Sequence, residues 1–295
     1  MLSSTLLNGK PLESDQSEVI VPWWSFTKTV LAVAALSLVR DGLIELDASL
    51  PEGQFALRQL LKHQAGLADY GELKEYHAAV ADGDVPWSAK DMMQRLDASK
   101  LRYAPGAGWR YSNVGYMFVG RLIERVTGLS LGDALVERVF SPFGLSNVRL
   151  AKTPEDLLGA YLGSASTYHP GWVYHGLLVG PLNQTTVLLD QLLNGSFLSS
   201  FLQNEMLDAI VLGGPMPGRP WITPGYGLGL MIGGVNTGQT LIGHTGAGPG
   251  GVIAVYHCSN GTSTATCSVF SEGNDEGRVE AEASRRLLAA VRTMC

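Results

Sequence analysis

Cysteine is scarce in this 295-residue chain. The three present, Cys258, Cys267 and Cys295, are too few and too C-terminal for a disulfide framework or a zinc site. Charge is sparse too, at 16% of residues with a net charge of −6. Gripping nucleic acid or an anionic membrane needs clustered Lys and Arg, and no such cluster occurs, so neither partner is expected. The six histidines form no His-x-x-x-His pair on a helix and no HExxH run, which leaves no expected metal or cofactor. No basic n-region followed by an apolar stretch opens the sequence, so the expected location is the cytoplasm, or the periplasm if a leader has been removed. The longest apolar stretch, around Val30 to Val39, falls short of the roughly 20 residues needed to span a bilayer. Internal repeats, low-complexity tracts and long linkers are missing as well.

The hydrophobic pattern divides the chain. Short β-like runs surround Thr5-Leu6-Leu7 and Glu18-Val19-Ile20-Val21, with Asn8-Gly9 as a turn signal between them. From 26 to 40 apolar residues occupy nearly every face until Asp41-Gly42, the pattern of a helix buried in the middle of a protein. Further helices are predicted over 55–63, 88–96, 114–127, 131–140 and 184–193, then strands over 226–232, 240–244, 252–258 and 264–271, and a final helix over 276–294. Strands at both ends with helices between predict an α+β fold, an antiparallel sheet with flanking helices beside a mainly helical lobe. Residues 1–22 and 222–295 would form the sheet lobe with its C-terminal helix, and 23–221 the helical lobe, fused into one unit with a cleft between them as the natural site. A hairpin around Asn260-Gly261 would set Cys258 opposite Cys267; two small buried thiols are the favoured reading over a disulfide.

Three motifs carry chemistry. Ser25 is the one serine with a lysine three positions on, Lys28, and on a helix these two share a face. They can act as nucleophile and base if burial lowers the amine from about 10.4 toward 7. Tyr111-Ser112-Asn113 follows a Pro-Gly-Ala-Gly loop and precedes a helix. Ser112 or Asn113 would serve as an N-cap, while Tyr111 and Asn113 could also handle a proton and bind substrate. Gly243-His244-Thr245-Gly246-Ala247 ends a β-run, where glycines either turn the chain or let a strand edge approach a substrate. Two rival motifs fail on context. Gly128-Leu129-Ser130-Leu131-Gly132 matches a hydrolase nucleophile elbow but follows a helix instead of a strand. The glycine-rich run 246–251 leads into a strand, so it offers no helix N-terminus to a phosphate.

In this order the motifs resemble the serine β-lactamase and penicillin-binding-protein superfamily, whose signature is Ser-x-x-Lys, Tyr/Ser-x-Asn and Lys/His-Thr/Ser-Gly. Residues 60–67 resemble the LLxHxSGL segment of its class C-like branch, and 105–128 its PGxxxxYSNxGYxxLGxxIExxTG segment, so the likeness covers roughly Val21 to Phe270. The resemblance implies a β-lactamase/transpeptidase-like fold, with Ser25 as nucleophile, Lys28 and Tyr111 as its proton-handling partners, and Asn113, His244, Thr245, Gly246 and Ala247 as substrate-binding positions. Backbone N–H groups of Ser25 and Ala247 would form the oxyanion hole, and His63 would hold the turn that follows it. The segment before Ser25 is shorter than the family norm, so the first strands and their covering helix are expected to be trimmed. Trp23-Trp24 could narrow one wall of the cleft. His244 replaces the lysine of dedicated β-lactamases. If its protonated form bound a substrate carboxylate, affinity for acidic substrates would fall as pH rises through about 6 to 7.

The expectation is therefore a serine hydrolase of the esterase or D-aminopeptidase branch, forming an acyl-Ser25 intermediate with small esters or amides. A β-lactamase or D-Ala-D-Ala carboxypeptidase-type enzyme is the alternative, and a slow-acylating sensor a further one. Whether Lys28 or Tyr111 is the base, and the oligomeric state, stay open at this stage.

Overall fold

Helix α1 (Thr27–Arg40) runs through the middle of the computed structural model, with every residue from Thr27 to Leu38 buried. The structure describes residues 1–12, 18–165 and 167–292, apart from the side chain of Ser164. An unbroken apolar surface can only be satisfied by neighbours on all sides, and each Leu or Val so buried contributes roughly 1.5–3 kcal/mol. Asp41 closes the helix, its N–H donating to the Ser37 carbonyl, and Gly42 reverses the chain at φ +70°.

Before α1 come β1 (Leu2–Leu7), β2 (Lys10–Pro11) and β3 (Ile20–Pro22). After it the chain is mainly helical: α2 (Leu57–Leu61), α3 (Lys74–Ala81), α4 (Ala89–Arg95), α5 (Asn113–Thr127) and α6 (Leu131–Leu135), then β4 (Arg149–Ala151), β5 (Leu177–Pro181), α7 (Leu182–Asn194) and α8 (Ser200–Leu207). The last part is β6 (Ile210–Val211), β7 (Trp221–Tyr226), β8 (Met231–Val235), β9 (Thr240–Gly248), β10 (Gly251–Ser259), β11 (Thr264–Ser271) and α9 (Glu276–Arg292).

Eight strands form an antiparallel sheet in the order β2-β1-β11-β10-β9-β8-β7-β6, so the N-terminal strands sit beside the last one. Alternation along β10 divides the core. Ile253 and Val255 join the apolar cluster of α1, α5 and α7, whereas Val252, Ala254 and Tyr256 pack with Val279, Ala283 and Leu287 of α9. The sheet is thus covered on both faces. Among the described residues no helix is long and apolar enough to cross a membrane.

Helices α3 and α8 and strands β4, β5 and β6 lie outside the expected pattern, and three expectations fail outright. The run 226–232 is not one strand: Leu228 and Leu230 lie in the turn between β7 and β8, where the Gly227 N–H donates to the Leu230 carbonyl. Both leucines are fully buried, so their apolarity marks depth and not extension. Strand β3, assigned to the terminal sheet from sequence, instead pairs with β5, in a separate three-stranded sheet β3-β5-β4. Finally, the β10–β11 register sets Cys258 opposite Ala265 and Cys267 opposite Tyr256, so the cysteines do not face each other. Both are buried free thiols, and Cys295 lies outside the described residues.

Candidate active site

Between β3 and α1 the chain makes a short 3-10 turn, Trp24–Phe26. Trp23 is buried beneath it, its indole N–H on the Gly180 carbonyl at 3.3 Å. Trp24 has φ +42°, a conformation that costs a bulky residue about 1–3 kcal/mol and persists only where packing enforces it. Here the indole is held edge-on by Tyr168 at 5.5 Å and lies over Gly248. Of the tryptophan pair only Trp24 reaches the cleft wall. The turn leaves Ser25 partly exposed at the head of α1 while Lys28, one helical turn on, is wholly buried.

Lys28 Nζ lies 3.1 Å from Ser25 Oγ and 3.1 Å from His175 Nε2. It also faces the rings of Tyr111 and Tyr116, at 5.0 and 5.8 Å. Burial strips water from the ammonium and lowers its pKa to about 7, against the weaker opposing pull of Asp69. The free amine is then within reach at neutral pH.

Ser112 caps α5, its Oγ accepting from the Gly115 N–H at 3.1 Å and donating to the Ala68 carbonyl at 2.7 Å. Capping by Ser112 leaves Tyr111 and Asn113, one on each side, to line the cleft. His63 ties this loop to the end of α2: its Nδ1 accepts from the Ser112 N–H at 3.1 Å, and its ring lies 4.3 Å from that of Tyr111. Burial holds His63 neutral. Asp69 receives both the backbone and side-chain N–H groups of Asn113, at 2.8 and 3.3 Å. Burial keeps the Tyr111 phenol well above its ordinary pKa, against a smaller opposing hydrogen bond from Ser25.

Strand β9 forms the opposite wall. Pairing with β8 stops at Gly243, so residues 244–248 run along an open edge beside Ser25. Gly246 and Gly248 face the Trp23–Ser25 segment, His244 meets Tyr111 and Tyr226, and Thr245 turns toward Glu280 of α9. A Cβ at Gly246 would fall on the Ser25 backbone nitrogen and within 2.7 Å of Trp24 Cβ, so glycine is needed for the strand to approach this closely. Gly246→Ala is therefore expected to push β9 away from Ser25 and lower kcat/KM by roughly 10²-fold, with thermal melting little changed. Steady-state kinetics beside a melting curve would check this, and a fully active variant would refute it.

His244 is not the cation that its place in the motif implies. It is buried, its Nδ1 faces the Thr245 carbonyl at 2.6 Å and its Nε2 the Tyr226 hydroxyl at 2.9 Å. A carbonyl accepts only, so Nδ1 carries the hydrogen and Nε2 accepts from the phenol. Burial, helped by the Lys28 charge, pushes its pKa down to about 3. With both ring nitrogens engaged and the pKa lowered by burial, His244 stands in the cleft wall as a neutral imidazole. The Thr245 hydroxyl is engaged as well, donating to buried Glu280 at 2.6 Å. Glu280 in turn pairs with Arg219, which also meets Glu276 at 2.8 Å.

Two cavities meet at the serine. One, about 410 Å³, is walled by Tyr111, His244, Trp221 and Arg219; the other, about 860 Å³, by Trp24, Tyr70, Tyr76, Tyr168 and His175. Ser25, Asn113, Ala247 and Glu276 line both. A carbonyl at Ser25 would thus have room on each side for the acyl and leaving portions. Residues from four distant segments, Ser25-Lys28, Tyr111-Asn113, His175 and 244–247, converge here. Sequence reading missed His175, Tyr70 and Asp69. Asp69 lies two residues beyond the 60–67 segment and could have been found by extending it; nothing local marks His175 or Tyr70. Among the described residues no group of three or more His, Cys, Asp or Glu could hold a metal ion.

The sequence is 28% identical to a D-aminopeptidase of Brucella ovis over 232 residues, 76% of this chain and 43% of that protein. It is also 28% identical to a D-aminopeptidase of Brucella anthropi over 246 residues, 80% of this chain and 46% of the relative. The chain thus spans less than half the length of these relatives. Similar folds include a D-amino acid amidase from Ochrobactrum anthropi, with TM-score 0.78, 22% identity and coverage of 98% of this chain and 94% of that one. A D-stereospecific amidohydrolase from a Streptomyces species has TM-score 0.73 and 23% identity, covering 95% and 92% of the two chains. The beta-lactamase family model matches residues 15–290, nearly the whole sheet-and-helix unit described above, and the chain belongs to the beta-lactamase family.

Proposed function

We propose that the protein is a serine hydrolase that cleaves the amide bond of D-amino acid amides or short peptides, and small esters, through an acyl-Ser25 intermediate. The observation that carries this reading is the 3.1 Å contact between Ser25 Oγ and a buried Lys28 amine whose pKa falls to about 7. As the serine oxygen bonds to the carbonyl carbon, its proton passes to the Lys28 lone pair, and the oxyanion sits against the backbone N–H groups of Ser25 and Ala247. Collapse breaks the bond to the leaving amine, which takes a proton through Tyr111 or Lys28. Water then repeats the sequence on the acyl-enzyme. The Tyr111 phenol, raised by burial, keeps its proton at neutral pH, so Lys28 is the resting base and Tyr111 a relay.

The amide preference draws on the names of the Brucella relatives and on the charge of the cleft. A penicillin or D-Ala-D-Ala substrate presents a carboxylate. Here His244 is neutral and Arg219 is matched against two glutamates, Glu276 and Glu280, so neither offers it a free positive charge. A panel of D- and L-amino acid amides, p-nitrophenyl esters and nitrocefin tests the reading. D-amino acid amides should turn over with the highest kcat/KM and nitrocefin poorly. Nitrocefin as the best substrate would favour the β-lactamase reading, and a single stoichiometric burst with every ester and amide the sensor reading.

A further inference from the structure

Resting on that reading, we propose that His175 is a positioning residue for the base: it accepts a hydrogen from the Lys28 amine and thereby aims the nitrogen lone pair at Ser25. A neutral amine has two N–H groups and one lone pair, and only the lone pair can take the serine proton. Lys28 Nζ has Ser25 Oγ at 3.1 Å on one side and His175 Nε2 at 3.1 Å on another. If Nε2 is bare it takes one N–H, and the lone pair is left for the serine. If Nε2 carries hydrogen it donates into the lone pair, and the base is blocked.

The tautomer therefore decides whether Lys28 can act, and the group on the far side of the ring is a hydroxyl that can pair with the Nδ1–H form the proposal requires. His175 Nδ1 faces the hydroxyl of Tyr70 at 3.4 Å, so a hydrogen on Nδ1 has the phenol oxygen as acceptor. Both rings are largely buried, His175 at 4% exposure and Tyr70 at 3%, and both belong to the wall of the larger cavity. The two come from separate segments, the turn after α2 and the residues leading into β5, so their meeting at the lysine is a product of the fold. Other titratable groups face this pair: Asp69 beside Tyr70, Tyr76 on α3, Tyr168 and Tyr174 ahead of β5, Tyr111 and Tyr116 at the start of α5, His63 at the end of α2, and His244 on β9. Of these only Asp69 is ordinarily anionic, and its carboxylate is occupied by Asn113.

The tests are a tautomer measurement and a variant series. Nitrogen-15 NMR of the histidine-labelled protein should show a non-protonated Nε2 at His175, and a protonated Nε2 would overturn the proposal. His175→Leu is expected to lower acylation by roughly 10- to 100-fold. The acid limb of its kcat/KM profile should move to lower pH, because an acceptor that favours the ammonium has gone. His175→Gln places an amide oxygen near the Nε2 position and should recover most of the rate. Tyr70→Phe, which keeps the ring in its packing, should also slow acylation and serves if His175→Leu does not fold. An unmoved acid limb in both His175→Leu and Tyr70→Phe, or a His175→Gln variant no faster than His175→Leu, would reduce His175 to packing. Lys28→Met is the control that separates the two claims: if it acylates like wild type, the lysine reading fails; if it is inactive and the His175 variants behave normally, only the positioning role fails.

Discussion

Ser25→Ala is expected to lose at least about 10⁴-fold in kcat/KM and to take up no acyl or phosphonyl group. The magnitude follows from the role: with the nucleophile gone, only the oxyanion donors and the binding walls remain, and they act on an attacking water that nothing holds. The fold should not suffer, because Ser25 is partly exposed at the cleft and its side chain fills no part of the apolar core. The competing serine, Ser130, is excluded by its surroundings. It caps α6, its Oγ donating to Asp133 Oδ2 at 2.6 Å, and helix α5 runs into it where a nucleophile elbow needs a strand. Intact-mass spectrometry after exposure to a fluorophosphonate should show one adduct on wild type and none on Ser25→Ala. An undiminished adduct on the variant would defeat the assignment of the nucleophile.

Local pattern was readable where one segment determines its own environment. The all-round apolarity of 26–40 leaves a central helix as its satisfactory state, and Asp41-Gly42 supplies the stop. Ser112 and Ser130 cap their helices as their positions before apolar runs require. Strand β11 coincides with the β-branched and apolar run 264–271. What could not be read depends on partners far along the chain. His175 meets Lys28 across 147 positions and Tyr70 across 105, and a lone histidine after a valine and tyrosine carries no periodicity to mark it. The charge of His244 stays open in the sequence for a related reason: the motif names the residue, whereas its charge depends first on its burial on β9, which the motif does not contain. Leu228 and Leu230 show the same limit at the level of secondary structure, since a buried turn and a strand are equally apolar.

Lys28→Met should do two opposite things, and the combination is more diagnostic than either. Activity should fall by roughly 10³-fold or more, since the group that removes the Ser25 proton is lost. For the wild type, kcat/KM should rise as pH increases through about 7, as the Lys28 ammonium gives way to the amine, and this limb should vanish in the variant. Stability should increase. In the unfolded chain the lysine titrates near 10.5, whereas in the folded protein burial lowers it to about 7. At pH above about 10.5 the amine is neutral in both states and burial of charge costs nothing. As pH falls from there to about 7 the unfolded state alone gains a proton, so stability drops by about 1.4 kcal/mol per unit, reaching about 4 kcal/mol at pH 7. Below about 7 both states are protonated and the penalty stays constant. Methionine, similar in length and apolar, removes this penalty but leaves His175 Nε2 without its donor, a loss of about 1–3 kcal/mol. The net gain expected at pH 7 is therefore about 1–3 kcal/mol, passing through zero between about pH 8 and 10 and becoming a loss of about 1–3 kcal/mol above about pH 10.5. Urea denaturation of both proteins at pH 7 and pH 10 measures the difference. A variant that is inactive yet no more stable at pH 7 than at pH 10, relative to wild type, would mean that the amine is charged and compensated in the folded state, and Lys28 could not then be the resting base.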